Sequence, residues 1–434
     1  MSLTTGKIAE VMFENAKESY EHQMQMLNLV TREEPEAGMM QNSGNVVWRP
    51  RQQHAPIISG WDLTGKETGI IEETYPSILG TPSNDFVEQR ADDLRTRTFW
   101  ERRGKQSGLR QATELNKLLS SAIALQGSLF YRSNATSGYD FIAEAQAQMN
   151  ERQQVNNGRT FMLNDRDLLT FGSDLAARQT LQGRSESTWA TGQIGQNVAE
   201  FDLYTASFLP NLAGGADPAT TVTGAQSFKP EGGSVNTTTG VVTNVDCRIA
   251  SIPVAASAGY NVGDKVTIGG LHAVGLADKT DTGQLMTFTI VGKPDGTTIQ
   301  VYPKPIAADD VALSTLEKAY ANVDTTIANL DTVNRLNIDT TNKTNLFFDR
   351  EAVEVIGGNI PAELFAQYDG MKVLTETLSN GLTMYMVYDG NMVTMNFRYR
   401  LFVWYGIYGM RATSLWGCSN FLILKESGFG HSPF

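Results

Sequence analysis

Cysteine is nearly absent from this chain. Its 434 residues hold two, Cys247 and Cys418, far apart and in no CxxC pair. That excludes a disulfide framework and a thiolate metal site, and it fits a reducing compartment. Histidine is almost as scarce: His22, His54, His272 and His431 are the whole set. No two are close in sequence and none sits in HExxH, so spacing gives a histidine metal centre no support. His272 reads as a partly buried or surface residue rather than a ligand. There is no GxSxG elbow, since Gly417-Cys418-Ser419-Asn420-Phe421 fails at its last position. There is no P-loop and no strand followed by GxGxxG. Long apolar runs are missing as well. Leu401 to Tyr405 and Phe421 to Leu424 are too short to cross a bilayer. The opening MSLTTGKIAE lacks the basic-then-apolar pattern of a signal peptide. The expectation is a protein made in the cytosol, with no cofactor, no metal and no membrane.

Excess positive charge is also lacking. The formal net charge is -12, whereas a general nucleic-acid binder draws most of its affinity from phosphate neutralisation by basic residues. Adjacent carboxylates occur at Glu33-Glu34, Glu72-Glu73, Asp92-Asp93 and Asp309-Asp310. Sequence neighbours point to different faces, so these are not acid/base pairs by themselves.

What is present is a large, folded chain. Hydrophobic residues make up 41% and charged residues 19%, enough for two or more domains with real cores. The organising stretch runs from Asp85 to Phe130. Asn84-Asp85 with Glu88 three residues on resembles a capped helix start, and no proline follows before Phe130. Ala112, Leu115, Leu119, Ala122, Ile123 and Leu129 recur at three- and four-residue steps on one face. The expectation is one long helix, bent at Ser107-Gly108, or two ordinary helices hinged at Gly108. A helix of that length far exceeds the usual roughly 11–12 residues.

Residues 1 to 34 read as a polar amphipathic helix. Ile8, Val11, Met12, Ala16 and Leu27 share its apolar side, and Glu10, Glu14 and Glu18 form an acidic stripe. The stripe is either a solvated face or a docking edge for a basic partner helix. Residues 36 to 82 read as a long two-stranded excursion around Trp61, Asp62 and Lys66, punctuated by glycine and proline. Such a hairpin is marginal alone and needs something to lie on. Along the helix, Asp92 and Asp93 fall among Arg90, Arg95, Arg97, Arg102 and Arg103. Mixed charges of this kind give a salt-bridged face, or register between subunits.

Further on, Phe141 to Gln154 reads as a helix and Phe161 to Leu163 as a buried strand. Around residue 223 charge density falls while threonine, valine and glycine rise. Short β runs there alternate with turns, among them a hairpin at Lys293-Pro294-Asp295-Gly296, and suggest a small barrel or sandwich inserted in an α+β body. Phe347-Phe348 reads as a strand and Ala352 to Ile356 as a short helix. Asp389-Gly390-Asn391 reads as a hairpin turn. Arg398 to Tyr408 is dense in aromatics. It reads as a core strand with snorkelling ends more readily than as a base-stacking surface.

Several strings carry a resemblance. They are WDLTGKETG at Trp61 to Gly69, ADDLR at Ala91 to Arg95, GAQSFKP at Gly224 to Pro230, PKPIAADDVALS at Pro303 to Ser314 and AYANV at Ala319 to Val323. In this order, and with fainter echoes at TNLFF, DGMK and WYG, the chain resembles the major capsid (coat) proteins of short-tailed double-stranded DNA bacteriophages of the P-twenty-two type. The match is weakest over residues 131 to 222 and at the C-terminal tail.

The resemblance implies an α+β tailed-phage capsid fold, Hong Kong ninety-seven-like, with an inserted β-barrel domain. The expected parts are an N-terminal arm at 1–34, an extended loop at 36–82 and a peripheral domain with a spine helix at 83–130. An axial domain falls at 131–222 and 341–397, the inserted barrel at 223–340 and a C-terminal peripheral region at 398–434. It also implies a homo-oligomer of hexamers and pentamers, assembled round a scaffolding protein in the host bacterial cytoplasm. The shell would expand as double-stranded DNA enters through a portal protein, without sequence-specific binding. The acidic stripe is then expected to dock the scaffold. In relatives the first loop of the inserted barrel carries bridging charges. Here Glu231 to Asp246 is mostly Gly, Thr, Val and Asn, so the charged candidate becomes Asp278-Lys279-Thr280-Asp281. Two readings from other classes stay open: an enzyme with an unrecognised site, and a β-rich adhesion or binding module on a larger body.

Overall fold

A computed structural model gives the fold. It describes residues 5–33, 45–50, 58–65, 69–90, 97–133, 138–153, 156, 158–168, 193–231, 234–235, 238–239, 242–337, 342–366, 371–391, 393, 395–408 and 421–425. In chain order, the elements used below begin with helix α1 at Thr5–Gln23, strand β1 at Ser83–Arg90 and helix α2 at Arg97–Gln126. Helix α3 at Gly138–Glu151 follows, then strands β2 at Lys265–Ile268 and β3 at Phe288–Asp295. Strands β4 at Lys372–Thr377, β5 at Thr383–Asn391 and β6 at Asn396–Val403 complete the set.

The long helix is shorter than its sequence suggests. Asp85 opens no helix; it lies in β1, and Leu129 begins another strand at Leu129–Ser133. What remains is the 30 residues of α2, helical without interruption through Ser107-Gly108. The sequence does not announce this strand, because its inward residues, Ser83, Asp85, Val87 and Gln89, are mostly polar. Apolar alternation, the usual signature of a half-buried strand, is therefore missing.

The chain divides into two units. The first comprises Met1–Val47, Ser77–Ser120 and Glu354–Tyr408. Its main sheet is antiparallel in the order β4-β5-β6-β1. The α2 helix packs on it through Trp100, whose ring meets Phe397 at 5.8 Å and Tyr399 at 6.1 Å, edge-on. Edge-on pairing suits the aromatic quadrupole. Gln111 Nε2 donates to the Leu401 carbonyl at 3.4 Å. Helix α1 runs beside α2 in the same sense. Gly104 approaches Met12 and Gly108 approaches Ala16 so closely that no side chain fits at either glycine. Further along, Asn116 accepts from the Met26 N–H at 3.2 Å and donates to the Gln23 carbonyl at 3.1 Å. A smaller sheet joins Thr31–Glu33, Glu354–Gly357 and Tyr405–Tyr408.

Two expectations are corrected. Ala352 to Ile356 is a 3-10 turn, Arg350–Ala352, leading into the strand Glu354–Gly357, whose four residues are all buried. Asp389-Gly390-Asn391 does not turn: the three residues pair with Arg398, Phe397 and Asn396 inside the β5–β6 ladder. The reversal comes after them. The aromatic stretch is core strand, with Phe397, Tyr399, Leu401, Phe402 and Val403 buried.

The second unit comprises Trp48–Pro76, Ser121–Val353 and Gly409–Phe434. One mixed sheet places Arg159–Asn164 between Asn342–Asp349 and Phe201–Ala206. Phe161 and Phe347 stack at 5.5 Å, with Phe201 edge-on to both. Helix α3 covers them with Phe141, Ile142, Ala145 and Met149. The β-rich insert is a six-stranded sheet in the order Ala219–Thr221, Thr332–Arg335, β2, β3, Thr298–Tyr302, Ala250–Pro253. Its two outer strands meet at one end. Thr223 N–H donates to Pro253 O and Ala255 N–H to Thr221 O, both at 2.9 Å. Ile252, Val266, Ile268, Phe288, Ile290 and Val301 fill its interior. The hairpin at Lys293 to Gly296 is present, with Asp295 paired to Thr298. Among the described residues no helix is long and apolar enough to cross a membrane.

Candidate assembly surfaces

The acidic stripe is built as its spacing requires. Met12 and Ala16 face α2, while Glu10, Glu14 and Glu18 are all exposed on the other side of α1. None of the three forms an ion pair with another described residue. Their neighbours hold the helix down. Lys17 pairs with Glu376, and Glu21 accepts from the Ser379 N–H at 2.8 Å.

The charged face of α2 divides into inward and outward members. Arg103 turns inward and grips Asp85 with two bonds, at 2.8 and 2.9 Å, and donates to the Tyr399 hydroxyl at 2.6 Å. Ser107 donates to the same carboxylate at 2.6 Å. Arg103 and Ser107 are thus engaged inside the subunit. Arg97 pairs with Glu101 one turn on, at 2.8 Å. Arg102 is exposed, and Arg90 is exposed at the end of β1. Asp92, Asp93 and Arg95 lie outside the described residues. For Gly108, the structure supplies a packing reason, the approach to Ala16.

In the extended loop, Trp61 is fully exposed at 107%. Asp62 accepts from the Thr64 N–H at 3.0 Å, and this bond holds its carboxyl below the usual range. Gly65 then takes a positive φ of 74°, which closes the turn without strain. Lys66 lies outside the described residues.

The loop at Asp278 to Asp281 is more self-contained than its charges suggest. Asp278 accepts from the Thr280 hydroxyl at 2.8 Å and its N–H at 3.1 Å, which lowers its pKa. Lys279, at φ 56°, donates to the Ala321 carbonyl at 3.2 Å. Asp281 accepts from the Gly283 N–H at 2.8 Å and lies 3.1 Å from His272 Nδ1; both contacts depress its carboxyl. Asp324 Oδ2 stands 3.5 Å from the same ring nitrogen. His272, Asp281 and Asp324 are the three described residues grouped as metal ligands would be, within 4.8 Å of one another. A ring N–H lying between two carboxylates accounts for the arrangement without an ion.

One surface has no signature in the sequence. A groove of about 560 Å³ opens on the main sheet of the first unit, lined by Phe86, Phe365, Met371, Val387, Tyr388 and Phe402. Asp389, Arg398 and Arg400 also border it. Phe86 stays 63% exposed and Met371 46% exposed. Its residues come from β1, β5, β6 and the segment after Ile360, so no contiguous motif announces it.

The chain is similar to several phage capsid proteins. The CUS-3 coat protein I-domain is 34% identical over 28% of this chain and 99% of its own length, with a TM-score of 0.22. The capsid structure of the cyanophage P-SCSP1u aligns over 92% of this chain and 86% of its own, at 10% identity and TM-score 0.44. The capsid of Ralstonia phage GP4 aligns over 94% and 89%, at 9% identity and TM-score 0.43. A family model described as P22 coat protein, gene protein 5, matches residues 1–415. With nearly the whole length matched, the chain belongs to the P22 coat protein family: it is a major coat protein of a tailed-phage capsid, on an α+β fold, structural rather than enzymatic.

Proposed function

We propose that this coat protein tiles a closed icosahedral shell as hexamers and pentamers. It assembles round a scaffolding protein, and the shell expands as double-stranded DNA enters through a portal. Closed symmetry is what stops growth in such a shell. The observation that carries the reading is a mismatched pair of surfaces. A fully exposed tryptophan sits in an extended loop beside Leu63 at 48% and Ile70 at 59% exposure, and an apolar groove lies open elsewhere on the molecule. Exposed apolar surface of this kind marks an interaction site. In a shell, the loop of one copy fills the groove of the next. Trp61 supplies the aromatic anchor, and Asp62 meets the Arg398 and Arg400 side of the groove.

Glu10, Glu14 and Glu18 serve in this reading as the scaffold's docking edge, since they are exposed and leave a basic helix free to pair with them. Arg102 and Arg90 remain available for inter-subunit register, and Asp278 and Asp281 for contacts between capsomers. Packaged DNA meets a wall of net negative charge, which disfavours tight adhesion. Electron microscopy of the chain expressed with its scaffolding protein is the test. Closed particles hundreds of ångströms across are expected, on the order of many subunit diameters. Dispersed monomers under all assembly conditions would overturn it.

A further inference from the structure

The end of α2 is held from outside its own segment. After Gln126 the carbonyl of Gly127 accepts from Lys265 Nζ on β2 and from the Thr289 hydroxyl on β3. The next carbonyl, Ser128, accepts from the Thr287 hydroxyl at 2.6 Å. Each threonine is itself backed by a buried basic side chain. Lys265 Nζ donates to Thr289 Oγ1 at 3.0 Å, and Arg152, just past α3, donates to Thr287 Oγ1 at 3.3 Å. The turn before β2 presses on the helix too. Gly263, at φ 98°, lies where a Cβ would stand 2.6 Å from Leu125 Cδ2. The inserted sheet therefore caps the carbonyls that follow the end of α2.

The hydrogen count at Lys265 is informative. A neutral amine has two N–H donors, and among the described residues two acceptors face it: Gly127 O and Thr289 Oγ1. An ammonium has three. The third would be an unpaired donor in a fully buried position, and the added charge would have no hydrogen-bonded counter-ion. From β3 the facing group is the neutral Thr289. On the other side, Leu336 donates its N–H to the Lys265 carbonyl and Asn337 accepts the Lys265 N–H at 3.0 Å. From the end of α2 the polar groups facing the joint are the Gly127 and Ser128 carbonyls. Just past α3 comes Arg152, a cation, with Glu151 beside it. The carboxylate felt by Lys265 is Asp264, its chain neighbour. That group is already occupied by the N–H groups of Gly215 and Asn261 and by Asn337 Nδ2.

We propose that Lys265 makes this joint a charge-dependent latch, in which the neutral amine holds the inserted sheet to the end of α2 and protonation loosens it. Burial pushes the amine down to about 7, partly offset by Asp264, so the change falls within a mild pH range. The loosening is local, because the network touches only the last turn of α2, α3 and strands β2 and β3.

Hydrogen exchange on the full-length unassembled chain, corrected for the chemical exchange rate, tests this at pH 6 and pH 8.5. Protection of amides in residues 121–130 is expected to fall about tenfold at the lower pH in the parent. Lys265→Gln keeps a neutral donor and should show equal protection at both values. Lys265→Met, which removes donor and charge together, should also lose the pH dependence, at lower overall protection. Equal protection of the parent at both values would overturn the proposal. So would a pH dependence that survives in Lys265→Gln, or a loosening shared equally by Thr383–Asn391.

Discussion

Gly108 stands so close to Ala16 that an ideal Cβ would lie 2.1 Å from the Ala16 carbonyl oxygen. The obstacle is backbone, which cannot swing aside as a side chain can. Gly108→Ala should therefore separate α1 from α2 and cost about 1–3 kcal/mol or more. Denaturant unfolding of the unassembled subunit measures this. A loss of assembly in that variant would report lost packing before it reported lost bending. Unchanged stability would mean that the two helices do not touch here.

Asp85 and Arg103 should behave as a coupled pair. Both side chains are largely covered, with 13% and 15% left exposed. Removing either strands a charge among Tyr399 and Ser107. A double-mutant cycle with Asp85→Ala and Arg103→Ala should give a coupling of about 2–3 kcal/mol, typical of charged hydrogen bonds. A coupling near zero would return Arg103 to the surface as an inter-subunit residue.

Much of this architecture can be read from residue order, and the exceptions share a cause. The buried run Ala112, Leu115, Leu119 and Ile123 declares its helix because apolar residues fall on one face. The Phe161 strand and the Asp295–Thr298 hairpin declare themselves through burial and turn chemistry. Strand β1 does not, because its inward Asp85 is matched by Arg103, a residue 18 positions away on another element. A polar residue satisfied across such a distance looks solvent-facing in a local window. Asp389-Gly390 misleads for the opposite reason: a strong turn dipeptide is overruled by an eight-pair ladder between β5 and β6. The groove and the Lys265 cluster are tertiary products with no local signature. The resemblance to phage coat proteins reached what spacing could not.

Trp61→Ala should leave subunit stability within about 0.5 kcal/mol of the parent, because an exposed side chain contributes little to the monomer. Shell formation should fail or require much more protein, since a buried aromatic anchor is worth about 2 kcal/mol or more per contact and the contact recurs round every ring. Light scattering during scaffold-directed assembly reads the difference. Normal assembly kinetics would remove Trp61 from the interface.

The buried amine predicts a stability slope of known sign. Lys265 is lowered to about 7 against a reference of 10.5. Between those values the unfolded chain binds a proton that the native chain does not, so this residue's contribution to stability rises as pH increases from 7 towards 10.5. Below pH 7 both states are protonated, and the full cost of the buried charge is present. Lys265→Met should flatten that slope in denaturant midpoints measured from pH 6 to 9. An identical slope in parent and variant would show that the amine is not responsible.

The central claim is that the surfaces left open on one subunit are completed by another copy. Cysteine pairing across the proposed contact tests it most directly. In shells carrying Trp61→Cys together with Met371→Cys, mild oxidation should produce covalent dimers and longer ladders on denaturing gels. Shells with either substitution alone, or with only Cys247 and Cys418, should not. Ladders absent from intact, oxidised double-cysteine shells would contradict the account.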